Sequence, residues 1–233
     1  MKPEVSFELH QMRLNPYQAN TIKEFMRVGG LCILPSDSSY ILTGLLTIRG
    51  VGEDIDTLLD RHGLSMSLAF GNLKQVTDHM DLSNKAYSFI ESLTPGGLTF
   101  VAHPQKAMMQ KYSIKHLYAD GTIGIRLTQS EVETQLANFF PFPSTPIRSS
   151  DGNEISSAQE ALDIVMNRMS QIPIARRIAL IVGEVEFPKR LSTVVREIKE
   201  EESYYIEIIR EGAISSEIIR DVAIRCNYKG VIK

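Results

Sequence analysis

With 233 residues, 43% of them hydrophobic and 23% charged, the chain can bury one large core, or a domain with a small appendage. Its net charge of −3 excludes whole-surface attraction to nucleic acid and leaves only a local basic groove for such a partner. Two cysteines cannot form a disulfide framework, the N-terminus shows no apolar signal segment, and no run approaches a membrane span, so a cytoplasmic protein is expected.

Residues 5–12 alternate enough to predict a strand. Asn15 and Pro16 supply a cap and a first-turn proline for a helix that Gly29-Gly30 ends. The apolar run Leu31–Leu34, closed by Pro35, predicts a short buried strand with Cys32 as a packed thiol, and a second strand follows over Ser39–Leu46. The spacing of Ile55, Leu58 and Leu59 predicts a helix over 53–61. Ser67–Phe70 reads as a strand, and Ala86, Phe89, Ile90 and Leu93 predict an amphipathic helix over 83–93. Beyond the turn Thr94-Pro95-Gly96-Gly97 come strands at 98–102 and 123–127, then a helix over 129–139 that Pro141 and Pro143 end. A polar loop at 149–157, a helix at 158–170 and strands at 178–182, 192–196 and 204–209 complete the series, with Lys199–Glu202 as a solvated turn. This alternation predicts an α/β (α+β) protein: a twisted mixed β-sheet flanked by helices, with one concave surface, in a single domain over 1–233.

No Walker A, GxGxxG or GxSxG motif occurs, and the five histidines lack HExxH or zinc-finger spacing, so no protein-held metal site is expected. Asp78, His79 and Asp81 read as a cap cluster before the 83–93 helix. The segment with most chemistry is Pro35-Ser36-Asp37-Ser38-Ser39-Tyr40. It has two readings: a turn whose side chains bond the local backbone, or a ligand site at a strand end, where hydroxyls and a carboxylate can hold an amino acid or a phosphate-bearing ligand.

Four further segments accompany it in order: Thr94-Pro95-Gly96-Gly97-Leu98-Thr99, Gly124-Ile125-Arg126, Ser192-Thr193-Val194-Val195 and Arg210-Glu211-Gly212. Together they resemble the signatures of the YrdC/Sua5/YciO family, spread over residues 15–215, and the divergent YciO-like branch in particular. The resemblance implies a YrdC/RibB-like fold with a concave ligand-binding surface. Active members make threonylcarbamoyl-adenylate from L-threonine, bicarbonate and ATP with Mg²⁺, for modification of tRNA (t6A); some relatives bind tRNA or double-stranded RNA. Carried over by position, Ser36, Asp37, Ser38, Tyr40 and Thr99 would contact the substrate. Ser149, Ser150, Asn153, Ser192 and Arg210 would line the nucleotide, and Arg126 and Arg61 would supply catalytic charge.

The departures from the family pattern bear on activity. Active members carry Lys-x-Arg and a further lysine where this chain has Asp60, His62 and Met66; a one-residue shift lets Arg61 serve but restores no lysine. Asp151 replaces a serine of the nucleotide loop, and a carboxylate beside phosphates repels them. Ile41, where the family has glycine, predicts a narrowed pocket, and Arg148 reads as a loop arginine. Nucleotide binding with reduced or lost catalysis is the expectation. The alternatives are a non-catalytic RNA-binding relative and a structural one. Lys106, Lys111, Lys115 and His116, with the pairs Arg176-Arg177 and Lys189-Arg190, are the only basic groupings to support RNA.

Overall fold

The computed structural model describes residues 3–9, 13–61, 66–111, 121–149, 151–152, 155, 157–172, 176–183 and 191–232. After β1 (Val5–Glu8), helix α1 (Pro16–Arg27) begins as its sequence predicts. Asn15 accepts from the Gln18 N–H while the Gln18 side chain accepts from the Asn15 N–H, with Pro16 in the first turn. Gly29, at φ +87°, turns the chain into β2 (Leu31–Pro35), and β3 (Tyr40–Thr43) returns antiparallel to it. There follow α2 (Val51–Leu59), β4 (Ser67–Ala69), α3 (Leu73–His79), β5 (Met80–Asp81), α4 (Asn84–Leu93), β6 (Leu98–Pro104) and α5 (Lys106–Lys111). Then come β7 (Ile123–Arg126), α6 (Glu131–Ala137), β8 (Phe142–Pro143), β9 (Thr145–Pro146), α7 (Ala158–Asn167) and β10 (Ile178–Val182). The chain closes with β11 (Thr193–Glu200), β12 (Ser203–Arg210), α8 (Ser216–Arg225) and β13 (Val231–Ile232).

The class is the expected mixed α/β, but the strands divide into two sheets instead of one. The smaller runs β1-β10-β2-β3-β9; the larger runs β13-β12-β11-β6-β7-β4-β8, with β5 added to β6. Both mix parallel and antiparallel pairs. The chain passes between sheets at Ser144: β8 pairs with β4 in the larger sheet and β9 with β3 in the smaller. Pro143 and Pro146 lack N–H groups, which confines both short strands to edges and makes this a seam.

Helix α1 buries Ala19, Ile22, Phe25 and Met26 against Cys32, Leu34, Ile41, Ala179 and Ile181 of the smaller sheet. Burial pushes the Cys32 thiol pKa far up, as befits a packed side chain. A larger core lies on the other side, where Phe89, Phe100, Ile125, Val195, Ile206 and Ile219 meet. Among the described residues no helix is long and apolar enough to cross a membrane.

Local signals placed most elements. The strand predicted over 39–46 is shorter, and β11 and β12 are longer, joined at Glu201, whose φ of +52° makes the tight turn. Helices α3, α5 and α8 escaped the sequence reading. The cap cluster is corrected accordingly. Asp78 and His79 end α3, where Asp78 pairs with Lys74, and Ser83 caps α4 by accepting from the Ala86 N–H.

Candidate functional site

Strand β2 ends at Pro35, and the next residues form a tight turn closed by the Ser36 N–H on the Ser39 carbonyl at 2.9 Å. The turn places Asp37 against Arg126 at the end of β7, with Nη2 to Oδ1 at 2.6 Å. Only 7% of the arginine and 12% of the aspartate side chain remain exposed. The Gln129 N–H reaches Asp37 Oδ2 at 3.4 Å, and the Ser130 hydroxyl donates to the Pro35 carbonyl at 2.9 Å. The turn reading of residues 35–40 describes the structure: a locally bonded turn that also presents its carboxylate to a distant strand.

A residue absent from every motif completes this cluster. Glu133 of α6 is fully buried, makes a short hydrogen bond with the Ser36 hydroxyl, and lies near Ser144 at the seam. Burial raises its pKa above the usual carboxylate range; Arg126 pulls it down and Asp37 pushes it up again. Its sequence signal was an acid beside Val132, Leu136 and Ala137, on the buried stripe of an amphipathic helix. The raised value fixes the sign of a stability effect. The native state holds the Glu133 proton more tightly than the unfolded chain does. That contribution is fully present below the ordinary glutamate value and is lost as pH rises through the native one. In urea denaturation from about pH 4 to about pH 8, Glu133→Gln, which stays neutral, should gain on wild type as pH rises. A pH-independent difference would remove Glu133 as the titrating group.

Across the larger sheet a second cluster forms. Register Phe100↔Ile125 sets Thr99 opposite Arg126, and Thr99 Oγ1 lies 2.8 Å from Ser192 Oγ, just before β11. Arg210, at the end of β12, donates through Nη2 to the Ser192 carbonyl at 2.9 Å and to its hydroxyl at 3.3 Å. Thr193 holds this arrangement: its hydroxyl donates to the Ile214 carbonyl at 2.7 Å and accepts from the N–H groups of Gly212 and Ile214, both at 2.9 Å. At Gly212 a Cβ would strike the Leu191 carbonyl oxygen, so only glycine lets the loop close on β11. Gly124 is required similarly, because a Cβ there would collide with Ser67 Oγ on the same face as Thr99. Arg126, Thr99, Ser192 and Arg210 thus form a polar track over four neighbouring elements of one face.

The structure brings together six of the residues singled out from sequence: Ser36, Asp37 and Arg126 in one group, Thr99, Ser192 and Arg210 in the other. Ser38 is buried in the turn. Tyr40 donates its hydroxyl to the Gly183 carbonyl at 2.8 Å, and burial raises its pKa. Ser149 hydrogen-bonds to Asp151 within its own loop, and Arg148 donates to the Gly152 carbonyl at 3.1 Å. Ser150, Asn153 and His62 lie outside the described residues, as do Lys115, His116, Lys189 and Arg190.

The departures acquire physical form. Asp60 ends α2 in the left-handed region at φ +53°, which aspartate tolerates, and its carboxylate faces Arg168 at 3.8 Å. Arg61 follows it, half-buried, with its N–H on the Asp56 carbonyl at 2.8 Å. Met66 packs inside the main core. The Ile41 side chain joins the core under α1 and α6.

Comparison with known proteins gives the family and the fold. A family model covering Sua5, YciO and YrdC, described as "Telomere recombination", matches residues 24–212. A Haemophilus influenzae protein is 22% identical over 90% of this chain and 96% of its own. Escherichia coli YciO is 23% identical over 66% of this chain and 79% of its own. The crystal structure of E. coli YciO superposes with a TM-score of 0.72 at 21% identity, covering 92% of this chain and 98% of YciO. P. abyssi Sua5, complexed with L-threonine, superposes at 0.74 with 16% identity, covering 94% of this chain and 60% of Sua5. Identities this low carry the fold alone, but the family match takes in most of the chain: the protein belongs to the Sua5/YciO/YrdC family.

Proposed function

We propose that the face carrying Arg126, Thr99, Ser192 and Arg210 binds a nucleotide of the ATP or AMP type beside a small amino-acid-sized ligand. The protein would then be a divergent relative of the enzymes that prepare threonylcarbamoyl-adenylate for tRNA (t6A) modification. The polar track carries the reading. It sets a guanidinium at each end, with two hydroxyls between them, on adjacent elements of one sheet. Hydroxyls and a guanidinium at Ser192, Thr99 and Arg210 suit ribose or phosphate oxygens. The turn at Ser36–Ser38 suits the amino-acid side, where the L-threonine complex of Sua5 supplies the candidate ligand. Among the described residues no group of three acidic, histidine or cysteine side chains could hold a metal ion. Mg²⁺ would come on the triphosphate, bound mainly by phosphate oxygens.

Binding without adenylyl transfer is the favoured form of this reading. Charge must be neutralised as pyrophosphate leaves. At the positions of the missing lysines stand an exposed aspartate facing Arg168 and a methionine packed in the core. RNA binding has less support, since Arg176, counted among the basic pairs, is buried in an ion pair with Asp54. Calorimetric titration with ATP-Mg²⁺, with and without L-threonine and bicarbonate, should show ATP binding strengthened by L-threonine and no pyrophosphate released. Pyrophosphate turnover would make the protein a synthase with an altered cation set; no heat with ATP under either condition would end the nucleotide reading.

A further inference from the structure

The strand-end cluster contains one guanidinium and two carboxyls, and their hydrogen bonding limits what a ligand can meet there. The Ser36 hydroxyl has a single proton. Its oxygen makes a short hydrogen bond with Glu133 Oε2 and lies 3.3 Å from Asp37 Oδ1. If Glu133 is ionised, Ser36 donates to it; if Glu133 is protonated, Glu133 donates to Ser36 and Ser36 donates to Asp37. Either way the proton is committed to a carboxyl, so toward a ligand Ser36 can only accept. Arg126 donates to Asp37, and its Nε is sealed beneath the surface. The most exposed of the paired groups is Asp37, whose Oδ2 receives one long bond, 3.4 Å, from the Gln129 N–H.

The charge balance points the same way. Arg126 is matched by Asp37 at 2.6 Å, so the cluster is neutral while Glu133 holds its proton and net negative once it does not. On the Asp37 side of the cluster a ligand carboxylate gains nothing, whereas a cation completes it. The charged groups acting on Glu133 are Arg126, from β7, and Asp37, from the turn after β2. Helix α1 and strand β4, also packed against α6, bring none to bear among the described residues.

We propose that this end of the polar face takes its ligand through an ammonium group, and that Glu133, behind Ser36, is the specificity-determining residue that holds the cluster ready for a cation. The proposal rests on the placement of an amino-acid-sized ligand at this turn. It adds which end of that ligand faces the protein: the amine, with the carboxylate directed outward.

Two probes separate the ends of the ligand. L-threoninol has the amine and hydroxyl without the carboxylate; butyrate has the carboxylate alone. Calorimetric titration of the wild type from about pH 5 to about pH 8 should show L-threoninol binding and butyrate not, over the span in which a raised carboxyl ionises. L-threoninol affinity should climb with pH, by at most about tenfold per unit, because binding favours the ionised glutamate. In Glu133→Gln that climb should vanish, and in Glu133→Asp, which keeps a carboxyl, it should persist in part. Butyrate binding as well as L-threoninol, no L-threoninol binding by the wild type, or an unchanged climb in Glu133→Gln would each overturn the proposal. ATP-Mg²⁺ titration of the same samples keeps the two readings apart and checks that each variant is folded. ATP binding with a failed L-threoninol result removes this inference alone; loss of both in the wild type removes the nucleotide reading as well.

Discussion

Arg126→Met should destabilise the protein by about 3–5 kcal/mol, the usual cost of removing one partner from a buried ion pair. Among the described residues the guanidinium is the only cation acting on Glu133, and its removal leaves the Asp37 and Glu133 carboxyls without it in a largely desolvated seam. The penalty comes from the charge left behind more than from the bond lost. Two consequences distinguish this account from simple loss of packing. The deficit should shrink on acidification, because each proton taken up by the carboxyl pair reduces the uncompensated charge. Arg126→Met combined with Asp37→Asn should also recover part of the stability, whereas two independent packing defects would add. Urea denaturation of the three variants at two pH values tests this. A cost for Arg126→Met below about 1 kcal/mol would show that the pair behaves as an exposed one.

Arg176→Met should cost a similar amount, about 3–5 kcal/mol, for the same electrostatic reason at a different place. Arg176 meets Asp54 through Nε at 2.7 Å and donates to the carbonyls of Arg49 at 2.9 Å and Gly29 at 3.4 Å. It thereby ties β10 to the loop before α2 and to the turn after α1. Room for it comes from Gly29 and Gly50, both at positive φ, where a Cβ would lie 2.7 Å and 3.1 Å from its terminal nitrogens. Methionine fills much of the volume but leaves Asp54 buried without its cation. Because Arg176 shares no partner with the polar track, ATP affinity of the folded variant should stay within about twofold of wild type. Equal losses of stability, with ligand binding changed only at Arg126, would separate the residue that supports the site from the one that supports the frame. A large loss of ATP binding in folded Arg176→Met would refute that separation.

These residues also show what a linear reading can reach. The start of α1 was legible because its cap and its proline stand next to each other in the chain, and the structure adds a reciprocal bond with Gln18. Strand β10 was legible because five consecutive apolar residues leave few other structures. Arg176 and Arg177 stand side by side in the sequence and read as one basic pair. The fold separates them, placing Arg176 inside against Asp54 and Arg177 on the surface against Glu4. Nothing local distinguishes the two, because their partners lie on different elements.

The site divides along the same line. Its ordered motifs, from Ser36 to Arg210, are visible in the chain because each is a short turn or strand end with its own chemistry, and their order was enough to suggest the family. Sequence by itself determined the caps, the breaks, the buried runs and the inventory of hydroxyls and guanidinium groups. Tertiary structure alone decided that two sheets meet at Ser144, that Thr193 locks the loop that follows Arg210, and that Glu133 stands behind Ser36. Those contacts join residues 97 apart for Ser36 and Glu133, and 89 apart for Arg126 and Asp37. The physical reason is that a cap or a turn is satisfied by neighbours in the chain. A buried charge must instead find its partner wherever the fold brings one.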